Sequence, residues 1–197
     1  GAIEASELTG TFPFIAEELT RDSYFTLNSS YRGAPWLNKI TGLPDVLRKE
    51  HKHLSHLNVC YADLDGGRLD SDRPEQRYDW RVLACAAGMM MDRGGLPQAS
   101  VIAKSGRGAY LLWLLKDKDD PGMPPRSYLR IDEYKKINKA IISRLTHLAV
   151  DQSAFDAARV FRVDGSWHTG ANKQVRYLWQ ADDKDQVPFY TLEELAS

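Results

Sequence analysis

Apolar and polar positions along this chain fall into runs that mark out its elements. Tyr24-Phe25-Thr26-Leu27-Asn28 is rich in aromatic and β-branched residues between polar flanks, and reads as a strand. Gly33-Ala34-Pro35 and Gly42-Leu43-Pro44 signal turns. Asn58 to Leu64 is a near-continuous apolar run, with Val59-Cys60-Tyr61-Ala62 at its centre, broken by Gly66-Gly67. Residues 68–78 are polar and read as loop. Asp79 to Arg93 reads as a helix: Asp79 is a natural N-cap, Trp80, Leu83, Ala84, Ala87 and Met91 form the apolar stripe, and Gly94-Gly95 stops it. Gln98–Lys104 and Ala109–Leu115 read as two strands, joined into a hairpin by Ser105–Gly108. Lys116–Arg126 is charged, proline-containing loop. A long helix lies within Ser127–Leu148, where Tyr134, Ile137, Ile141, Leu145 and Leu148 recur at helical spacing. Val160–Val163 and Gln174–Trp179 complete the strands. There is no internal repeat and no regular strand–helix–strand rhythm, so the pattern predicts an α+β fold. Residues 1–57 carry the weakest signal.

Composition narrows the class. The chain has 197 residues, 43% of them hydrophobic and 27% charged, as in ordinary globular proteins. Its net charge is −1, so any anion site must be local rather than a global basic field. No run approaches the ~20 apolar residues of a membrane span, and no charged-then-apolar signal segment opens the chain. Cys60 and Cys85 cannot make a zinc site alone; both lie in apolar runs and read as buried thiols, which fits a cytoplasmic setting. A chain that opens on Gly1 rather than Met reads as a piece cut from a larger protein.

Three short segments carry candidate chemistry. Asp63 and Asp65 stand at i and i+2 at the end of an apolar strand, so both point to one face, roughly 6–7 Å apart. Such a pair suits a divalent cation bound through carboxylate oxygens; read alone, it is as readily a solvated strand end before a Gly-Gly turn. A calcium-binding loop is excluded, because Gly67 and Arg68 occupy its fifth and sixth positions. Ser105-Gly106-Arg107-Gly108 offers glycines that let a backbone approach an anion, a hydroxyl and a guanidinium fork; it also reads as a plain hairpin turn. No Gly-Lys-Ser/Thr follows, so it is not a Walker loop. The third segment runs from Asp151 to Lys173. Arg162, Ser166, His168 and Lys173 are donors suited to phosphates. Asp156 competes with Asp151 as the third acid, or simply orients Arg159 three residues on. His51, His53 and His56 match no zinc spacing and read as solvated surface or a mild DNA-contact patch. Trp113 and Trp167 read as core or rim aromatics.

In order, strand-Asp-x-Asp, Ser-Gly-Arg-Gly on a hairpin, and Asp151 ahead of Arg159-x-x-Arg162 and Gly165-Ser166-x-His168…Lys173 resemble the catalytic core of primase–polymerases. These belong to the archaeo-eukaryotic primase superfamily, and the likeness is to the branch carried by plasmids, phages and other mobile elements. The resemblance runs from about Asn58 to Arg176. It implies a single core spanning residues 1–197, built as an N-terminal α/β module plus an RRM-like module with the active cleft between them. It implies template-directed nucleotidyl transfer, as DNA primase or DNA polymerase, with two Mg²⁺ or Mn²⁺ ions on Asp63, Asp65 and Asp151 and no zinc. It places the nucleotide triphosphate on Ser105, Gly106, Arg107, Gly108 and Arg162, with Ser166, His168 and Lys173 beyond. Implied partners are single-stranded DNA template and primer, NTP or dNTP substrates, and a helicase or other replication domain, with no membrane. One departure stands out: where the family's second motif ends in His, this chain has Tyr110, a neutral phenol with one donor. Two other readings share parts of the pattern. A metal-dependent glycosyltransferase also uses Asp-x-Asp, without a third acid so placed, and a non-catalytic DNA-binding replication module would tolerate Tyr110.

Overall fold

The computed structural model describes residues 22, 24–30, 36–37, 44–45, 54–66, 78–180 and 186–197. In chain order the elements are β1 (Tyr24–Thr26), β2 (Ser29–Ser30), β3 (Trp36–Leu37), β4 (Pro44–Asp45), β5 (Leu54–His56), β6 (Val59–Leu64), α1 (Trp80–Asp92), β7 (Val101–Lys104), β8 (Ala109–Leu115), α2 (Ser127–Arg144), β9 (Val160–Arg162), β10 (Trp167–His168), β11 (Lys173–Gln174), β12 (Arg176–Trp179), β13 (Phe189–Tyr190) and α3 (Leu192–Ala196). The architecture is mixed helix and sheet, as the pattern predicts.

β8 organises the central sheet. It pairs antiparallel with β6 from Val59↔Leu114 to Leu64↔Ala109, and with β7 from Val101↔Leu112 to Lys104↔Ala109. β12 runs antiparallel to β7, and β13 pairs parallel with Leu114–Leu115 at the end of β8. Side-chain alternation then divides the core in two. Cys60, Ala62, Leu64, Leu111 and Trp113 pack with Leu83, Ala87, Ile137, Ile141 and Leu192 from the three helices. Val59, Tyr61, Val101, Ala103, Tyr110 and Leu112 pack with Leu27, Ala154 and Phe161 on the opposite face. Both faces of β6 and β8 are buried, which is why their sequences read as continuous apolar runs rather than alternating ones.

The helices are set by local signals. The Asp79 carboxylate accepts the Arg81 N–H at 2.9 Å and caps α1, whose Leu83, Ala87 and Met91 face the core. α2 lies along the outer edge of β6 and satisfies its backbone. The Tyr134 hydroxyl donates to the Val59 carbonyl at 3.0 Å, and the Tyr61 N–H donates to Asn138 Oδ1 at 2.9 Å. An edge that would otherwise offer unpaired strand groups is thereby covered. α3 is closed by a capping box between Thr191 and Glu194, and it buries Leu192 and Leu195.

Expectation and structure differ in places. The long helix runs Ser127–Arg144, within the span expected for it, and a separate 3₁₀ turn follows over Thr146–Leu148. Cys60 is buried, but Cys85 is exposed, a correction to its reading as a buried thiol. It sits two residues from Leu83 and Ala87, about 200° around a helix of 3.6 residues per turn from the stripe that faces inward. Trp113 is a core residue whose indole N–H donates to the Pro97 carbonyl, whereas Trp167 is partly exposed. The turns expected at residues 33–35 and 42–43, the loop at 68–77, and His51 and His53 lie outside the described residues.

Asn138 is fully buried and carries two backbone partners, Tyr61 N–H and, at 3.4 Å, Ala154 C=O. Asn138→Leu keeps the volume but orphans the Tyr61 N–H. It should cost about 1–3 kcal/mol, the penalty for a buried unsatisfied donor, read as a lower midpoint in urea unfolding with an unchanged slope.

Candidate active site

The carboxylates meet at the C-terminal end of β6 because the chain returns to pair with it. Leu64 bridges to Val150, the Asp65 N–H donates to the Ala149 carbonyl at 3.0 Å, and the Asp151 N–H donates to the Asp63 carbonyl at 2.7 Å. Ala149 holds a φ of 57° in the left-handed region to make this return. A conformation of that kind costs a non-glycine residue on the order of 1 kcal/mol.

The arginine of the third segment closes the cluster. Arg159 Nη2 lies 3.0 Å from Asp151 Oδ2 and 3.9 Å from Asp63 Oδ2, and its Nη1 lies 3.8 Å from Asp156 Oδ2. Asp156 therefore orients Arg159, while Asp63 and Asp151 share its charge. Burial works to raise the Asp151 pKa, but the Ser153 hydroxyl and N–H, together with Arg159, hold it below the usual carboxylate range. Among the described residues, no group of three or more His, Cys, Asp or Glu side chains is assembled as a metal site. The donor chemistry nevertheless suits a hard divalent cation: Asp63 and Asp151 converge on one positive group, and Asp65 follows just beyond the end of the same strand.

Beside the acids, the β7–β8 turn is built by close approach. A side chain at Gly108 would meet the Leu64 carbonyl oxygen at 1.7 Å, so only glycine lets the turn lie against β6. The Ser105 hydroxyl accepts the Gly108 N–H at 3.2 Å and the Ser105 N–H donates to the Gly108 carbonyl, so Ser105 shapes the turn. Gly106 holds a φ of 105°, and the His168 ring packs against it where a Cβ would be 2.6 Å from Cδ2. A cavity of about 550 Å³ opens here, lined by Gly66, Tyr78, Asp79, Gly106, Arg107, Gly170, Ala171 and Lys173. Arg107 and Lys173 are exposed in its wall.

The remaining donors come from the third segment. Ser166 Oγ and His168 Nδ1 are buried and have no hydrogen-bond partner among the described residues, and the His168 ring lies against Gly106 and Gly170. Arg162 sits on β9, opposite Tyr24 of β1, with its guanidinium 5.0 Å from the Tyr24 ring centroid. Tyr110, paired with Asp63 across β6 and β8, is buried and stacked on Phe161 at 4.0 Å. Burial above all, and then Asp63, pushes its phenol up to about 12, while Arg162 works the other way. Its polar neighbour is thus Arg162 rather than Arg107.

Three contributors escaped the sequence reading. Asp22 contacts Arg162 across 140 residues, with no local signal to announce it. Arg159 was read as the first arginine of Arg-x-x-Arg and as a partner of Asp156, but not as the bridge between Asp63 and Asp151. The Thr191–Glu194 capping box that fixes the C-terminal helix is a readable Thr-x-x-Glu motif.

Comparison with known proteins follows this geometry. No family model matches the chain. First by class, the chain is similar to proteins of replication. A replication protein of Clostridium perfringens is 23% identical over 155 residues, covering 79% of this chain and 31% of that protein, so the chain spans about a third of its relative. More particularly, among solved structures it is similar to the AEP domain of the cyanophage S-2L primase-polymerase, at 12% identity and a TM-score of 0.48, covering 100% of this chain and 98% of that one. No helix among the described residues is long and apolar enough to cross a membrane.

His168 gives the site a pH signature. Burial first, then Arg162 and Arg107, lower its pKa. The folded protein binds a proton there less readily than the unfolded chain. Its contribution to stability is therefore full above the ordinary histidine range near ~6.5 and is lost as pH falls through the depressed folded value. His168→Gln should flatten the fall in unfolding free energy below about pH 6.5, measured by urea titration at a series of pH values; an unchanged slope would place the acid sensitivity elsewhere.

Proposed function

We propose that this chain is the catalytic core of a DNA primase–polymerase, carrying out template-directed nucleotidyl transfer. The observation that supports it most is the meeting of Asp63 and Asp151 on Arg159, beside a glycine turn and a cavity carrying Arg107 and Lys173. Acids that gather positive charge and cations that gather phosphate stand side by side, as transfer of a nucleotidyl group requires. The reading includes the division into an α/β module and an RRM-like module, and a place within a longer protein that also carries a helicase or other replication domain.

In this reading the primer 3′-OH, or that of a first nucleotide, attacks the α-phosphate of an incoming nucleotide, and pyrophosphate leaves. Asp63, Asp65 and Asp151 would hold Mg²⁺ or Mn²⁺; bound there, such ions lower the pKa of the attacking hydroxyl and neutralise the leaving oxygens. Arg107 and Lys173 bind the triphosphate from the cavity wall, and Arg162 reaches it from β9. Gly106 and Gly108 let the turn backbone approach the phosphates. Ser166 and His168 supply donors behind the wall. Arg159 holds Asp63 and Asp151 in register. No side chain acts as a nucleophile. Tyr110 backs Arg162 from beneath.

Incubation with single-stranded DNA, with and without a primer, Mg²⁺ or Mn²⁺ and labelled nucleotides tests the reading. Extension or primer synthesis is expected, and template binding without incorporation would leave a non-catalytic module. Asp63→Asn, Asp65→Asn and Asp151→Asn should each abolish incorporation with the fold retained, Asp151→Asn at a lower melting point because it loses the charge held by Arg159 and Ser153. Arg162→Ala should weaken nucleotide binding roughly tenfold or more, since a charge-assisted hydrogen bond is worth about 1.5–3 kcal/mol. Tyr110→Phe should reduce incorporation only modestly, because a neutral hydrogen bond is worth about 0.5–1.5 kcal/mol.

A further inference from the structure

Asp22 stands far outside the motif region, yet its carboxylate reaches into it. Oδ1 accepts Arg162 Nε–H at 3.0 Å. Oδ2 accepts the Thr169 N–H at 3.3 Å and also the Thr169 hydroxyl. Thr169 begins the 3₁₀ turn Thr169–Ala171, whose Gly170 and Ala171 line the cavity. One carboxylate thus ties β9 to the cavity wall, with each oxygen committed to one side. A bare acid so near a phosphate site would repel the ligand. Here its charge is met by Arg162, whose side chain is mostly buried.

The geometry around Arg162 has a direction. The Arg162 guanidinium stands over the Tyr24 ring, and its Nε is taken by Asp22. With Nε committed to Asp22, the terminal nitrogens are left for other partners, and the Tyr110 hydroxyl is a neighbour of the guanidinium. An arginine fork binds phosphate well when its plane is fixed beforehand, because little freedom is then lost on binding.

We propose that Asp22 is a positioning residue for the incoming nucleotide: anchored on the Thr169–Ala171 turn by one oxygen, it sets the plane of Arg162 with the other, so that the fork meets the triphosphate preformed. This rests on the nucleotide-binding role given to Arg162 above. Asp22 does not touch the nucleotide; it acts through Arg162.

The test is a double-mutant cycle on nucleotide affinity, read by calorimetry with dATP and Mg²⁺ and by steady-state kinetics. Asp22→Ala should weaken dATP binding roughly tenfold, as for one charge-assisted contact, by raising KM with kcat little changed. Asp22→Asn, whose amide oxygen still accepts from Arg162 Nε, should lose less, and it carries the test if the alanine variant does not fold. In an Arg162→Ala background, Asp22→Ala should change affinity by less than about twofold, because the two act as a unit. Equal losses in both backgrounds would make Asp22 a general structural residue and overturn the proposal. So would unchanged affinity in Asp22→Ala and Asp22→Asn while Arg162→Ala weakens binding. If Arg162→Ala itself leaves dATP affinity intact, the nucleotide role of Arg162 fails first, and this proposal falls with it.

Discussion

The site depends on one piece of backbone pairing, the return of residues 149–151 to the outer edge of β6. Three contacts make it: Leu64 with Val150, Asp65 N–H with Ala149 C=O, and Asp151 N–H with Asp63 C=O. Without them Asp151 would have no fixed relation to Asp63. With them the two carboxylates face one guanidinium, and the left-handed Ala149 is the conformational cost of the turn that delivers them. α2 covers the preceding part of the same edge through Tyr134 and Asn138. Edge protection and site construction are therefore consecutive uses of one strand.

The second constraint is the crowding of glycines against that strand end. Gly108 fits only because it has no side chain beneath Leu64, and Gly66 lies so close to the Tyr78 carbonyl that a Cβ would stand 2.5 Å from it. Gly106 admits the His168 ring in the same way. These close approaches bring the β7–β8 turn, the start of α1 and the β10–β11 hairpin around one cavity. The positive side chains then face it from different elements, Arg107 from the turn and Lys173 from β11.

Much of this was legible because it is local. The continuous apolar run before Asp63 announced the strand, which the structure places at Val59–Leu64. The hairpin, the N-cap at Asp79 and the helical stripe of Leu83, Ala87 and Met91 follow from period and turn chemistry. What stayed hidden is what depends on distance along the chain. Asp22 meets Arg162 through tertiary packing, and Asn138 serves the β6 edge from a helix position that reads as unremarkable polar residue. Cys85 failed for a simpler reason: an apolar neighbourhood in sequence does not fix which side of a helix a residue takes.

The central claim is that Asp63, Asp65 and Asp151 gather divalent metal at the end of β6 while the neighbouring cavity holds a triphosphate. A crystal structure with Mn²⁺ and a non-hydrolysable deoxynucleoside triphosphate tests it most directly. Anomalous density for manganese is expected against Asp63 and Asp151, with Arg159 yielding its place between them, and phosphates on Arg107, Lys173 and Arg162. Manganese bound elsewhere, or a triphosphate seated away from the Ser105–Gly108 turn, would contradict it.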